Sequence, residues 1–280
     1  MNYRHSFHAG NHADVLKHAV LLRVLTLMQR KTTPLCYLDS HAGIALYDLQ
    51  GDDASRTGEY LDGIGRLWER DDLPELLADY RAAVARQNPD GALRFYPGSP
   101  QLAADLLREQ DRMILSELHL EDAATLREHF AGHPAVAVHH RDGYELPKAF
   151  LPVAEKRALW LLDPPFEKSD DLQRCVDGVQ QAIGRMRQTV IALWYPIKDE
   201  RLLRDFYRRI AEAEVPKVLR VELHVRPIDT GLGLNGSGLM LINPPWPLWE
   251  ELEAVLPWLA SQLAQAPGGG WRMDWLVGEP

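Results

Sequence analysis

Ala158-Leu159-Trp160-Leu161-Leu162 runs straight into Asp163-Pro164-Pro165-Phe166. The unbroken apolar run predicts a strand buried on both faces, as at the centre of a parallel sheet. Two prolines then remove two backbone donors and fix φ, so the carbonyls at this strand end point at a ligand and not into a ladder. An amino group conjugated to a ring is a weak nucleophile, because its lone pair is spread into the ring. A carboxylate and a fixed carbonyl that accept its two N–H bonds hold the nitrogen in place and localise that pair, while an aromatic side chain stacks on the base. Asp163 and the carbonyl of Pro164 are the candidate acceptors, and Phe166 is the candidate stacking face. A plain Pro-Pro turn is the bland alternative; a cofactor loop elsewhere in the same sheet favours the catalytic reading.

Outward from this strand the chain alternates. Further strands are predicted at 35–38, 112–118, 135–140, 190–195, 218–225 and 238–242, and helices at 11–29 with Asn11 as cap, from Pro97-Gly98-Ser99-Pro100 through 107, and at 121–130, 171–187 and 200–214. Strand alternating with helix means an α/β fold with a doubly wound, mostly parallel sheet. The last two strands are joined without a helical period, which predicts one antiparallel edge strand. Residues 48–95 are acidic and helical, with periodic stretches at 60–69 and 73–86, and read as a small helical insert. The expected division is therefore a main domain of 1–47 and 96–280 around an inserted subdomain of 48–95. Gly268-Gly269-Gly270 reads as a C-terminal turn.

Acids stand at other strand ends. Asp39-Ser40-His41-Ala42-Gly43 follows the first strand, and Gly43 permits close approach of backbone to ligand. Glu117 ends the second strand and suits the two hydroxyls of a ribose; Asp142-Gly143 follows the third and suits an adenine edge. Each alone is matched by a plain solvated acid or turn. Three on consecutive parallel strands share one crevice, which favours a nucleoside-bearing cofactor. Asn243-Pro244-Pro245-Trp246 offers a second copy of the amine-holding motif, but it is taken as structural, since only 34 residues follow it. His5, His8, His12 and His18 raise a metal-dependent hydrolase, because His8 and His12 share a face if the first helix starts early. No later cluster completes such a site, and no metal is expected.

The 280 residues are 46% apolar, enough for a sizeable core, and the two cysteines, Cys36 and Cys175, lie far apart in apolar segments as reduced thiols. With no signal peptide or membrane span legible, a cytoplasmic address is expected. A net charge of −9 argues against a general basic field for nucleic acid. The first 31 residues reverse the balance, with Arg4, Lys17, Arg23, Arg30 and Lys31 against Asp14, so this arm is the candidate for phosphate contact.

The run from Tyr3 to His18, the loop Asp39-Ser40-His41-Ala42-Gly43, Arg56-Thr57-Gly58-Glu59-Tyr60, Tyr96-Pro97-Gly98-Ser99-Pro100, Asp163-Pro164-Pro165-Phe166, Leu193-Trp194-Tyr195-Pro196 and Asn243-Pro244-Pro245-Trp246 together resemble the RlmJ family of bacterial methyltransferases. The resemblance covers essentially the whole chain. It implies a Rossmann-like class I S-adenosylmethionine methyltransferase domain with a small helical insert, acting on N6 of an adenine in 23S ribosomal RNA, free or in an early precursor. It also implies a monomer with no membrane and no obligatory protein partner. His18, His41, Ser99, Glu117, Asp142 and Gly143 then line the S-adenosylmethionine site, Asp163 faces both amine and cofactor, and Tyr3, Arg4, His5 and Lys17 meet the RNA. A non-catalytic RNA-binding module and N6 methylation of DNA adenine are the alternatives. Two departures stand out: the family loop commonly continues with another glycine where this chain has Ile44-Ala45, and Phe166 replaces the commoner Tyr. An alanine fits there if its φ is negative.

Overall fold

The computed structural model describes residues 4–228 and 233–278, apart from the side chain of Leu202. Its strands are β1 (Cys36–Asp39), β2 (Leu46–Asp48), β3 (Phe95–Pro97), β4 (Arg112–Glu117), β5 (Val136–His140), β6 (Ala158–Leu162), β7 (Val190–Ile197), β8 (Val218–His224), β9 (Gly236–Ile242) and β10 (Gly270–Val277). Eight of them form one sheet in the order β10-β8-β9-β7-β6-β1-β4-β5, and β2 pairs with β3 as a separate ribbon. β6 lies parallel between β1 and β7 and is buried along its whole length, as its apolar run requires.

Alternate residues of each strand enter opposite cores, because successive side chains point to opposite faces. Tyr37, Met113, Leu159 and Leu161 pack with α1 (His12–Gln29), while Leu38, Trp160 and Leu162 pack on the other face. The segment between β2 and β3 carries α2 (Asp52–Thr57), α3 (Gly65–Trp68) and α4 (Glu75–Ala85). Leu77, Tyr80 and Val84 of α4 join the core of α1, so α1 is buried on nearly all sides. Next come α5 (Ser99–Ala104), α6 (Leu120–His129), α7 (Leu146–Phe150), α8 (Asp171–Arg185), α9 (Glu200–Ala211) and α10 (Leu248–Leu263). Val179 and Ile183 of α8 and Phe206 and Ile210 of α9 fill the second core, and Leu252 and Leu256 of α10 the first. The sheet is thus covered by helices on both faces.

Two strands run against the rest. β9 is antiparallel to both neighbours and is inserted between β7 and β8, while β10 pairs antiparallel with β8 at the edge. β10 rises from the segment read as a terminal turn. Every residue of β8 is buried, so an unpaired edge there would leave its backbone groups without partners.

From β1 the chain moves outward through β4 to β5, then returns to the other side of β1 with β6 and β7. In such sheets the ligand crevice lies beyond the carboxyl ends of the strands on either side of that switch. Those ends are Asp39 and Asp163. The second Pro-Pro motif follows β9, whose reversed direction delivers it to the opposite edge, where Asn243 Nδ2 donates to the carbonyls of Arg187 and Thr189 just ahead of β7, both at 2.9 Å. Strand direction, more than chain order, makes it structural. Cys36 and Cys175 are buried free thiols, and no described helix is long and apolar enough to cross a membrane.

Candidate active site

Beyond β1 the backbone turns tightly over a set of buried oxygens. Asp39 is fully buried and accepts from Ser99 Oγ at 2.7 Å, Tyr37 Oη at 2.8 Å and the amide of His41 at 3.3 Å. Burial pushes its carboxyl up to about 6 against those donors. Glu117, at the end of β4, ties the loop down by accepting from the amides of Gly43 at 2.9 Å and His119 at 2.7 Å. Burial also raises its carboxyl. A carboxylate has about four acceptor sites, so Glu117 keeps capacity for a diol.

Around this loop lies an inner cavity lined by His18, His41, Gly43, Ser99, Glu117, Lys17, Asp163 and Pro164. Six of the sequence-predicted cofactor residues, Asp163 among them, are therefore gathered in one place, together with Tyr47 and Asp122, which the sequence did not single out. Asp142 and Gly143 stand beside the cavity without lining it. Asp142 caps the turn through the amide of Tyr144 at 3.1 Å and pairs with Arg174 at 2.6 Å. Gly143 closes against β1: a Cβ there would lie 1.9 Å from the carbonyl oxygen of Ser40.

These residues fit a nucleoside with a cationic sulfonium. Burial pushes His18 down to about 3 and His41 to about 4, so both imidazoles are neutral and put no like charge beside a sulfonium. Gly43 has φ +63°, and a Cβ on it would strike the Tyr47 hydroxyl at 2.2 Å. The residue two further on does not meet the condition set by its sequence: Ala45 has φ +71°, in the left-handed region that costs a non-glycine residue about 1–2 kcal/mol. Ala45→Gly is expected to relieve that strain, partly offset by unfolded-chain entropy, and to raise stability by about 1 kcal/mol. Thermal unfolding checks it, as a rise of about 2–4 °C.

Lys17 and Asp163 join this cavity to a second one. Lys17 rises from α1 with its side chain 5% exposed, and its Nζ donates to Asp163 Oδ2 at 2.5 Å and to Asp14 Oδ1 at 2.8 Å. Burial alone would depress this ammonium, but the two carboxylates outweigh it and hold the lysine above its ordinary range. Asp14 is likewise pushed up by burial, yet His5 and Lys17 hold it well below the usual carboxylate range. Asp14 Oδ2 also contacts His5 Nε2 at 3.0 Å and accepts the amide of Gly10 at 2.9 Å.

The outer cavity, of about 590 Å³, is lined by Asp163, Pro164, Pro165, Phe166 and Trp194, and by His8, His12, Glu59, Lys198 and Arg226. Its volume falls within the range of pockets that enclose a small organic ligand. The Phe166 and Trp194 rings meet at 5.7 Å with a 58° tilt, which leaves an aromatic corner at the end of β6.

The basic arm does not present its charges as expected. Lys17 is buried, with its ammonium paired to two acids. Arg4 is spent on Glu121 at 2.7 Å and Asp122 at 3.0 Å. His5 lines both cavities, and Tyr3 lies outside the described residues. Around the short 3₁₀ turn His5–Phe7 the segment is pinned to the insert through Ser6 on Asp53 at 2.7 Å and His8 on Glu59 at 3.0 Å. Asp122, which holds Arg4, and Asp163, the second acid on Lys17, are 118 and 146 residues away in sequence, beyond any local charge count. The first helix starts at His12, so His8 shares no helix face with it, and among the described residues no group of three His, Cys, Asp or Glu is placed to hold a metal ion.

A family model described as "Ribosomal RNA large subunit methyltransferase D, RlmJ" matches residues 32–277. The chain is 43% identical over 279 residues to ribosomal RNA large subunit methyltransferase J of Escherichia coli (strain K12), covering all of both chains. It is 40% identical over 280 residues to the protein of the same name from Haemophilus influenzae, again over both full lengths. Among solved structures, a protein from Legionella pneumophila str. Philadelphia 1 superposes with a TM-score of 0.88 at 34% identity, covering 95% of this chain and 98% of that one. With a model match over most of its length and relatives aligned from end to end, the chain belongs to the RlmJ family of large-subunit ribosomal RNA methyltransferases.

Proposed function

We propose that this methyltransferase methylates N6 of an adenine in 23S ribosomal RNA, with Asp163 and the carbonyl of Pro164 holding the amine and the Phe166 corner taking the base. The enzyme is an S-adenosylmethionine-dependent ribosomal RNA methyltransferase, as its family membership establishes. The finer reading rests chiefly on one observation: Asp163 and Pro164 line both cavities, at the point where a donor in the inner one and a base in the outer one can meet.

S-adenosylmethionine supplies an electrophilic methyl on sulfur. Glu117 takes its ribose hydroxyls, and His18, His41, Gly43 and Ser99 enclose the remainder. Lys17 occupies Asp163 Oδ2, so Oδ1 is left to accept one N–H of the adenine amine while the Pro164 carbonyl accepts the other. Both prolines restrict the backbone that carries this pair, so little reorganisation is needed when the amine arrives. A base must leave its helix to reach this position, as for other enzymes that act on a base. The amine loses its proton after transfer, and water suffices as acceptor because the product ammonium is acidic.

The test is transfer of labelled methyl from S-adenosylmethionine to 23S RNA lacking native modification, followed by digestion to nucleosides. N6-methyladenosine is expected as the labelled product. Label on another nucleoside, or none despite measured cofactor binding, would overturn the assignment.

A further inference from the structure

His12 is the first residue of α1, directly after the capping Asn11, whose Oδ1 accepts from the amides of Ala13 and Asp14. Its side chain lines the outer cavity yet is only 5% exposed, and its Nδ1 is buried without a hydrogen-bond partner. Trp194 Nε1, on the same cavity, is a second buried donor without one. Nearby histidines are engaged: His5 with Asp14, His8 with Glu59 and His18 with the Tyr96 hydroxyl at 2.7 Å. An unpaired buried polar nitrogen is costly in a free protein, so its place on a ligand-sized cavity needs a reason. Burial pushes the His12 imidazole down to about 4, which leaves a neutral ring with one donor and one acceptor nitrogen. Such a ring suits the polar edge of a nucleoside and not a phosphate charge.

We infer that His12 reads the nucleotide in the outer cavity, its Nδ1 hydrogen-bonding the nucleoside whose amine Asp163 holds, with Trp194 Nε1 as a second donor to the same ligand. This rests on the adenine chemistry proposed above. His12 is thus a specificity-determining contact that is made only when RNA is bound, and its removal should act on substrate binding more than on the chemical step.

The experiment measures kinetics with 23S RNA, S-adenosylmethionine affinity and thermal unfolding for the wild type, His12→Leu and His12→Asn. His12→Leu is expected to raise KM for RNA about tenfold with kcat nearly retained, since it removes a hydrogen bond formed in both bound states. Cofactor affinity should be unchanged, and the melting temperature should hold or rise, because an unpaired polar atom has gone from the free protein. His12→Asn keeps a polar group near the Nδ1 position and is expected to recover most of the loss. An unchanged KM in His12→Leu, or a lower melting temperature, overturns the inference and makes His12 a structural residue. If the wild type itself puts no methyl on adenine, the fault lies in the proposed function; if it does and His12→Leu matches it, only the role of His12 fails.

Discussion

Asp163→Asn is expected to lower kcat for methyl transfer by about 10²–10³, the range seen when one preorganised group facing a reacting centre is removed. The substitution keeps the volume and one carbonyl oxygen, so the loss comes from polarity. Lys17 Nζ lies 2.5 Å from Oδ2, and an amide NH₂ turned toward it sets donor against donor. Turned the other way, the NH₂ faces the substrate amine and takes away its acceptor. Neither rotamer serves both partners. Affinity for S-adenosylmethionine should change far less than kcat, because Glu117 and the β1 loop remain. Steady-state kinetics with 23S RNA, together with cofactor binding by calorimetry, separate the two. An Asn243→Ala variant is the control, since that motif sits at the opposite edge of the sheet and should leave the rate intact. A kcat for Asp163→Asn within a factor of a few of the wild type would remove Asp163 from the chemistry.

How much of this is legible in the sequence depends on the range of the interaction. β6 has the boundaries its apolar run predicts, and Asn11 caps α1 as its position suggests, because strand burial and capping are local. The gathering of His18, His41, Gly43, Ser99 and Glu117 followed from the family resemblance and from strand ends that share one edge. Position was not local: the short connection from 218–225 predicts an antiparallel last strand, but nothing in 236–242 says that β9 is inserted between β7 and β8 and not added at the edge. β10 was hidden because its residues are half-buried and its register is fixed by β8 and by Trp275 stacking on Trp249 of α10 at 5.7 Å. Charge was the most misleading signal. A count of cations in the arm cannot show that Arg4 is neutralised by α6 and Lys17 by the end of β6. The φ of Ala45 is set by tertiary contacts of the loop and was open until the fold was known.

Lys17→Met is expected to cost about 3–5 kcal/mol of folding stability, the usual result of removing one partner from a buried ion pair and stranding the other. Asp14 would be left with the His5 imidazole and the Gly10 amide as partners, and Asp163 with no ammonium on Oδ2. Against a total of about 5–15 kcal/mol this is a large fraction, and unfolding should come on the order of 10 °C earlier. The sign of the pH effect follows from the two shifts. Lys17 is held above its ordinary value, so its contribution is complete below that value and is lost only as pH rises through the folded one. Asp14 is held below its ordinary value, so its contribution is present above that value and is lost as pH falls through the folded one. At neutral pH the wild type therefore has both. In the variant, Asp14 loses the ammonium that helps to hold it down, its carboxyl titrates higher, and the deficit against wild type should shrink as pH is lowered from 7.5 to 5. Melting curves of the two proteins at both pH values check this. RNA binding gives an independent reading: a lysine on a phosphate would take about one unit from the salt slope when lost, whereas a lysine clamped between Asp14 and Asp163 should leave the slope unchanged while kcat falls with the loss of Asp163 orientation. A reduced slope with unaltered stability would return Lys17 to the RNA interface and undo the positioning role that its burial assigns to it.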